Sequence, residues 1–290
     1  MRSMAGNPFK DTTMNSLEKL AVRTPVLGRA LLTAFRAKSA LRYYRGPMCN
    51  LVKWLYKSQE IGNFTYGLQA LNRRYLASMI ADVTNTAFAS AMTYMQELEQ
   101  DEELKKHVAD ATVKSDLAYL ADKEVRFGRR VGWYVFARAL KPRVVVETGV
   151  DKGLGACVLT AALKKNAREG HPGEYYGTDI NPRAGYLLSG DYANYGRIIY
   201  GDSIQSLKKL NCEIDLFIND SDHSTDYEAR KYKAIESKLS TRAIVLGDNS
   251  HCSEKLLEFS LATNRHFIFF QEKPFDHWYP GAGIGISFKR

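Results

Sequence analysis

The sequence holds only four cysteines (Cys49, Cys157, Cys212 and Cys252), widely spaced and with no CxxC pair. That spacing argues against a zinc site and a disulfide framework, and leads us to expect a reducing, cytoplasmic setting. No apolar run approaches the length that crosses a bilayer, so no membrane span is expected. The opening MRSMAGNPFKDTTMNSLEK has neither an apolar centre nor a small-residue cleavage site, and reads as no secretory signal. Without one, the sequon Asn63-Phe64-Thr65 reads as a chance match. Internal repeats are lacking. Acidic residues are scarce in one place: 1–58 carries eleven Lys/Arg against Asp11 and Glu18, while the remainder carries 30 of each sign. The net charge of +9 is therefore a property of that segment. It could attract nucleic acid, anionic lipid, an anionic substrate or an acidic partner face. No RNA or DNA motif accompanies it, so nucleic acid is not expected and a solvated face is the simplest reading.

What is present divides into two regions. Hydrophobic content of 45% with 25% charged residues suits a soluble globular protein. Residues 1–120 read as all-α. Thr24-Pro25 is a helix start, because Thr can cap and Pro at the first helical position loses no intrahelical bond. Leu27, Leu31, Leu32 and Phe35 fall on one face, and Gly46-Pro47 is expected to end that helix. LNRRYLASMIADVT and AFASAMTYMQELEQDEELKKHVADAT continue the helical pattern, with the charged run 97–106 as a solvated helix end. Residues 121–290 differ. After one more helix over 126–140, stopped by Lys141-Pro142, strands and helices alternate. RVVVETG, EYYGTDI, GRIIYGDS, EIDLFIND, AIVLGDN, HFIFFQEK and GAGIGISFK give seven strands. We expect an α/β fold with a Rossmann-like, mostly parallel sheet covered on both faces. Only PFDHWYPG separates the last two strands, so they should pair as an antiparallel hairpin.

The first strand runs into VVVETGVDKGLG, residues 144–155. A strand, a glycine turn and a helix make a nucleotide-binding device at the carboxyl edge of a sheet. The phosphate-loop ending GK[ST] is missing, and so is GxGxxG; the glycines run GxxxGxG behind a carboxylate. Glu147 at that point would repel a pyrophosphate. It suits a cationic ligand with an amino group, and S-adenosylmethionine carries an ammonium and a sulfonium. Asp179 ends the second strand, where a carboxylate can accept both ribose hydroxyls. Asp202 and Ser203 end the third, where adenine should be met. Each acid alone could serve only its local loop; the three strand ends together favour the cofactor.

From about 126 to 290 the chain resembles class I S-adenosylmethionine-dependent methyltransferases, whose seven-stranded sheet has an antiparallel last strand. The resemblance implies that Glu147, Gly149 and Gly153 form the cofactor turn, that Asp179 holds the ribose, and that Asp202 and Ser203 border the adenine. Asp220 and Asp222 are added as cofactor-binding candidates. Residues 1–120 match nothing assignable and are expected to form a lid or the contact of a homo-oligomer.

The fourth strand runs into INDSDHSTDYEARKY and the fifth into VLGDNSH. Neighbouring strand ends would bring Asp220, Asp222 and His223 near Asp248, Asn249 and His251. Converging carboxylates and an amide oxygen make a hard-cation site, for Mg2+ or another divalent ion. DLFINDSD and DN resemble the metal-binding strand ends of catechol and caffeoyl-CoA O-methyltransferases, which implies Asp220, Asp248 and Asn249 as ligands. DSDHSxxY also resembles macrocin O-methyltransferase-like and cephalosporin hydroxylase-like enzymes, which makes His223 a candidate base. His223 stands where the catechol type has lysine, so a planar catechol is not the expected acceptor. Asp220 and Asp248 equally suit helix capping, His251 is a second candidate base beside Asp220, and a histidine can act without metal. His277, Trp278 and Tyr279 either rim the pocket or pack the hairpin, and Tyr66, Arg73 and Arg74 are candidate substrate contacts.

The expected activity is O-methylation of a small hydroxylated metabolite or natural product with divalent metal assistance. Two alternatives stay open. One is a hydroxylase-like or non-methylating relative on the same scaffold; the other is a binding protein using the basic N-terminal helices. The glycine spacing disfavours a nicotinamide dehydrogenase.

Overall fold

The structure, a computed structural model, describes residues 26–62, 64–122 and 124–290. The helix start at Thr24-Pro25, the sequon's Asn63 and the first half of the basic segment lie outside the described residues. Helix α1 spans Leu27–Lys57 and carries Pro47 inside it, so Gly46-Pro47 does not end it. Proline removes one backbone donor and crowds the preceding turn, but the last turns are held by a distant partner. Trp54 packs edge-on against Phe64 and Trp278, with ring centroids 5.6 and 5.3 Å away.

Strand β1 (Gly67–Leu68) follows, a two-residue interruption of the helical region. Then come α2 (Ala70–Thr84), α3 (Phe88–Glu99) and α4 (Glu102–Val113). Leu76, Ala77, Ile80 and Ala81 of α2 recur at helical spacing and are buried. The charged run 97–106 spans the end of α3 and the start of α4. Asp101 caps α4 by accepting from Leu104 N at 2.9 Å, and Glu97 is not merely solvated, since it accepts from Arg138 Nε at 2.8 Å. Helix α5 (Arg130–Leu140) is buried from Val131 to Arg138, and it ends at Lys141 in the left-handed conformation (φ 50°) just before Pro142.

The sheet contains β2 (Val144–Thr148), β3 (Glu174–Asp179), β4 (Gly196–Tyr200), β5 (Ile214–Asn219), β6 (Leu239–Asp248), β7 (His266–Gln271) and β9 (Gly283–Phe288). The short β8 (Pro274–Phe275) pairs with β1 instead. Helices α6 (Leu154–Arg168), α7 (Ser203–Lys209), α8 (Thr225–Ile235) and α9 (Lys255–Ala262) fill the crossovers. The strand order is β4-β3-β2-β5-β6-β9-β7. All pairs are parallel except those of β9, which runs antiparallel to both β6 and β7. The expected sheet and its terminal antiparallel pair are both present.

Strand residues alternate between two apolar layers, as a period of two requires. Val145, Leu216 and Ile218 join a core that takes in Leu76, Met95, Trp133 and Leu159. Val146, Phe217 and Val245 join the other with Tyr232 and Leu256. Chain order reverses between β2 and β5, so their carboxyl ends open a crevice at the topological switch point. The register sets Thr148 beside Asn219 there.

Candidate active site

The turn after β2 is shaped by the chain's own packing. Gly149 has φ +83°, and a Cβ there would stand 2.1 Å from the Asp220 carbonyl oxygen. This bare backbone lets the turn of β2 lie directly against the end of β5. Gly155 lies over Glu147: a Cβ would meet Oε1 at 2.3 Å and the Trp133 ring at 2.7 Å. Gly153, at φ +98°, is the residue before α6 and closes on Gly185.

Glu147 is 1% exposed, and its Oε2 accepts from Tyr175 Oη at 2.6 Å. Burial raises its carboxyl to about 7, against the pull of the Tyr175 hydrogen bond and the Arg130 charge. Asp179 accepts from Val150 N and Asp151 N through Oδ2, at 3.0 and 2.9 Å, and from Asn181 N through Oδ1 at 2.8 Å. A carboxylate has about four acceptor positions, so one remains on Oδ1, enough for one ribose hydroxyl and not for the expected two, because the other three hold the loop. Asp202 caps α7 by accepting from Gln205 N at 2.9 Å, and accepts from Tyr227 Oη at 2.7 Å. Ser203 is buried, its Oγ accepting from Thr178 Oγ1 at 2.9 Å. The three acids thus stand at the ends of the neighbouring strands β2, β3 and β4, Asp179 and Asp202 each holding its own loop and Glu147 buried against Tyr175.

Beside this crevice a cavity of about 300 Å³ separates the glycine turn from the N-terminal helices. Glu60, Asp122, Arg130, Val150, Lys152 and Tyr186 are among its lining residues. Glu60 Oε2, Arg130 Nε and Tyr186 Oη are buried without a hydrogen-bond partner. Buried polar atoms of this kind call for a polar ligand or water. A carboxylate and a guanidinium lining one cavity suit the ammonium and carboxylate of an amino-acid moiety. The residues present therefore fit S-adenosylmethionine.

On the other side of the crevice, donor atoms of Asp220, His223 and Asp248 lie within 4.8 Å of one another. His223 Nδ1 lies 3.3 Å from Glu228 Oε1, and Nε2 lies 3.2 Å from Asn249 Nδ2 and 4.0 Å from Asp220 Oδ1. Glu228 is buried and also accepts from Asn219 Nδ2 at 2.9 Å. Asn249 has a left-handed backbone (φ 54°) that turns its amide to the imidazole. Two candidates fall outside the cluster. His251 is exposed with its ring against Cys252 Sγ, and Asp222 is exposed and accepts from Ser224 N.

A divalent ion does not fit this donor set. Arg129 forks onto Asp248, Nε on Oδ1 and Nη2 on Oδ2, the latter at 2.5 Å. Arg130 Nη2 stands 3.7 Å from Asp220 Oδ2. Burial alone would raise Asp248, but the Arg129 charge and hydrogen bonds outweigh it and hold it low. Burial and the Asp248 charge push Asp220 well up. The lone pairs and the charge a metal would use are thus largely committed to guanidinium groups.

Arg129, Glu228, Tyr175 and Lys231 are site residues that sequence reasoning missed. Lys231 is fully buried and donates to Ser221 Oγ (2.6 Å) and Asp222 O (3.1 Å), pinning the loop that carries His223. Two adjacent arginines in the apolar stretch RFGRRVGW were the one available signal. Tyr66 is buried, with Arg129 Nη1 3.5 Å from its Oη. Arg73 is paired with Glu99 and Arg74 lies over Phe88, so both serve the helices. His277, Trp278 and Tyr279 pack against Phe64.

Residues 146–250 match a protein family described as a methyltransferase domain. A putative O-methyltransferase from Klebsiella pneumoniae superposes with TM-score 0.54 at 13% identity, covering 70% of this chain and 96% of that one. Cofactor-bound Rv0187 from MTB gives TM-score 0.50 at 17% identity, over 64% and 90% of the two chains. Both likenesses are of fold. No curated protein matches the sequence. Over residues 146–250 the chain matches a methyltransferase domain, and the sheet that carries this segment has the Rossmann-like fold of methyltransferases.

Proposed function

We propose that the protein methylates an oxygen of a small hydroxylated molecule, taking the methyl group from S-adenosylmethionine. The observation that carries this reading is the convergence, at one switch point, of an acid-lined cofactor crevice and an imidazole held by a buried carboxylate. Bound there, S-adenosylmethionine supplies a methyl carbon on a sulfonium, open to in-line attack by an oxygen. The chain's part is to position and deprotonate. Glu147 and Asp179 give the crevice negative charge, while Glu60 and Arg130 complement the two ends of an amino acid. Glu228 accepts from His223 Nδ1–H, which fixes the tautomer with a lone pair on Nε2. Nε2, which the Asn249 amide meets at 3.2 Å, takes the acceptor's hydroxyl proton once that amide gives way to the acceptor, and the imidazolium so formed is stabilised by Glu228. Because both Asp248 oxygens hold Arg129, no step is assigned to a divalent ion.

The helical region walls the cavity through Glu60, Val108 and Thr112 and so would lie over the bound cofactor as a lid. Leu41, Tyr43, Tyr44, Leu55 and Tyr56 of α1 are exposed, which favours a contact between copies, checked by sedimentation. Among the described residues no helix is long and apolar enough to cross a membrane. The experiment that tests the activity is incubation with methyl-labelled cofactor and a panel of hydroxylated metabolites, read by product mass. A gain of one methyl group supports the proposal, whereas a gain of one oxygen would point to the hydroxylase-like alternative.

A further inference from the structure

Arg129 stands at the start of α5 with its side chain 13% exposed, between two acids that are wholly buried. Nε and Nη2 engage both oxygens of Asp248, and Nη1 lies 3.9 Å from Glu272 Oε1 and 3.5 Å from Tyr66 Oη. A guanidinium does not lose its proton in a protein, and its fork matches a carboxylate through two parallel bonds. Asp248 ends β6, the strand beside the one that Asp220 follows, so this is the place where paired strand-end acids would otherwise grip a cation.

We infer that the Arg129 guanidinium is the resident cation of this site and keeps divalent ions from Asp248. An ion bridging Asp220 and Asp248 would meet the guanidinium at close range, like charge against like charge, in a buried setting where screening is weak. Arg129 has no easy way aside, since Glu272 and Tyr66 hold its far edge. Without that guanidinium, Asp220, His223 and Asp248 would present donor atoms within 4.8 Å of one another, so it is Arg129 that closes the place to an ion. Arg129 is thus a positioning residue, which locks the end of β6 and leaves proton removal to the imidazole. This inference rests on the methyltransferase reading only for what the site does; the exclusion of the ion stands on the ion pair itself.

The test uses Mn2+ as probe, read by electron paramagnetic resonance of the full chain, with S-adenosylhomocysteine binding followed separately by calorimetry. The wild type should bind no stoichiometric Mn2+ in the sub-millimolar range. Arg129→Met should gain one site that the added Asp248→Asn removes, and Arg129→Lys, which keeps the charge, should not gain it. Stoichiometric Mn2+ on the wild type that is lost in Asp248→Asn would overturn the inference, even if Arg129→Met fails to fold. A folded Arg129→Met that gains no site would also overturn it. Loss of the cofactor reading would show as absent S-adenosylhomocysteine binding, whatever the Mn2+ result.

Discussion

His223 Nδ1 lies 3.3 Å from Oε1 of Glu228, a buried carboxylate five residues further along the chain. The contact orients the ring and selects the tautomer whose Nε2 can accept a proton. Glu228→Gln keeps the size of the side chain but removes the charge that stabilises the imidazolium. It should lower kcat by on the order of 10²-fold with little change in KM. A variant within about twofold of wild type would remove His223 from the proton transfer.

Glu147 is buried as a charge-bearing group. Its carboxyl is raised from 4.5 to about 7 by burial, so the folded chain holds this proton more tightly than the unfolded one. Its charge therefore opposes folding increasingly from about pH 4.5 to about pH 7, and fully above, by on the order of 3 kcal/mol. Glu147→Gln should accordingly be stabilised relative to wild type at about pH 8 and not at about pH 5, measured by urea unfolding. A cationic ligand prefers the ionised form, so wild-type cofactor affinity should rise with pH through about 7 and flatten in Glu147→Gln.

Two glycines separate backbone strain from packing. Gly149 and Gly170 both have positive φ, +83° and +87°, but only Gly149 would drive a Cβ into backbone, whereas nothing lies within 4 Å of Gly170. Gly170→Ala should lose about 1–2 kcal/mol from conformation alone. Gly149→Ala should lose on the order of 3 kcal/mol or more, because the end of β5 must also move. Equal losses in thermal or urea unfolding would show that the turn is not pressed against Asp220.

Asp202 holds its helix as well as facing the crevice. Asp202→Ala removes the cap on Gln205 N and the Tyr227 partner, and should cost about 1–2 kcal/mol of stability. Asp202→Asn keeps an acceptor for the cap and should recover most of that in the same unfolding assay.

The sheet was legible in the sequence because β-branched runs, glycine turns and strand-end acids punctuate it at short range. The terminal antiparallel pair followed from the single short link between its strands. What was not legible depended on partners far away in sequence. Helix α1 passes Pro47 because Trp54 meets Trp278, and nothing near residue 47 signals that contact. His223 and His251 sit in similar strand-end loops, yet Glu228 holds one ring while the other lies exposed beside Cys252. Asp248 read as a metal ligand because the residue that engages it, Arg129, lies 119 positions earlier.

The central claim is that the crevice at the ends of β2, β3 and β4 binds S-adenosylmethionine. Calorimetric titration of the full chain with S-adenosylhomocysteine tests it most directly. We predict one site with Kd on the order of micromolar, about −8 kcal/mol, weakened at least about tenfold by Asp179→Ala. No binding to the folded wild type, or binding indifferent to Asp179→Ala and Glu147→Gln alike, would contradict it.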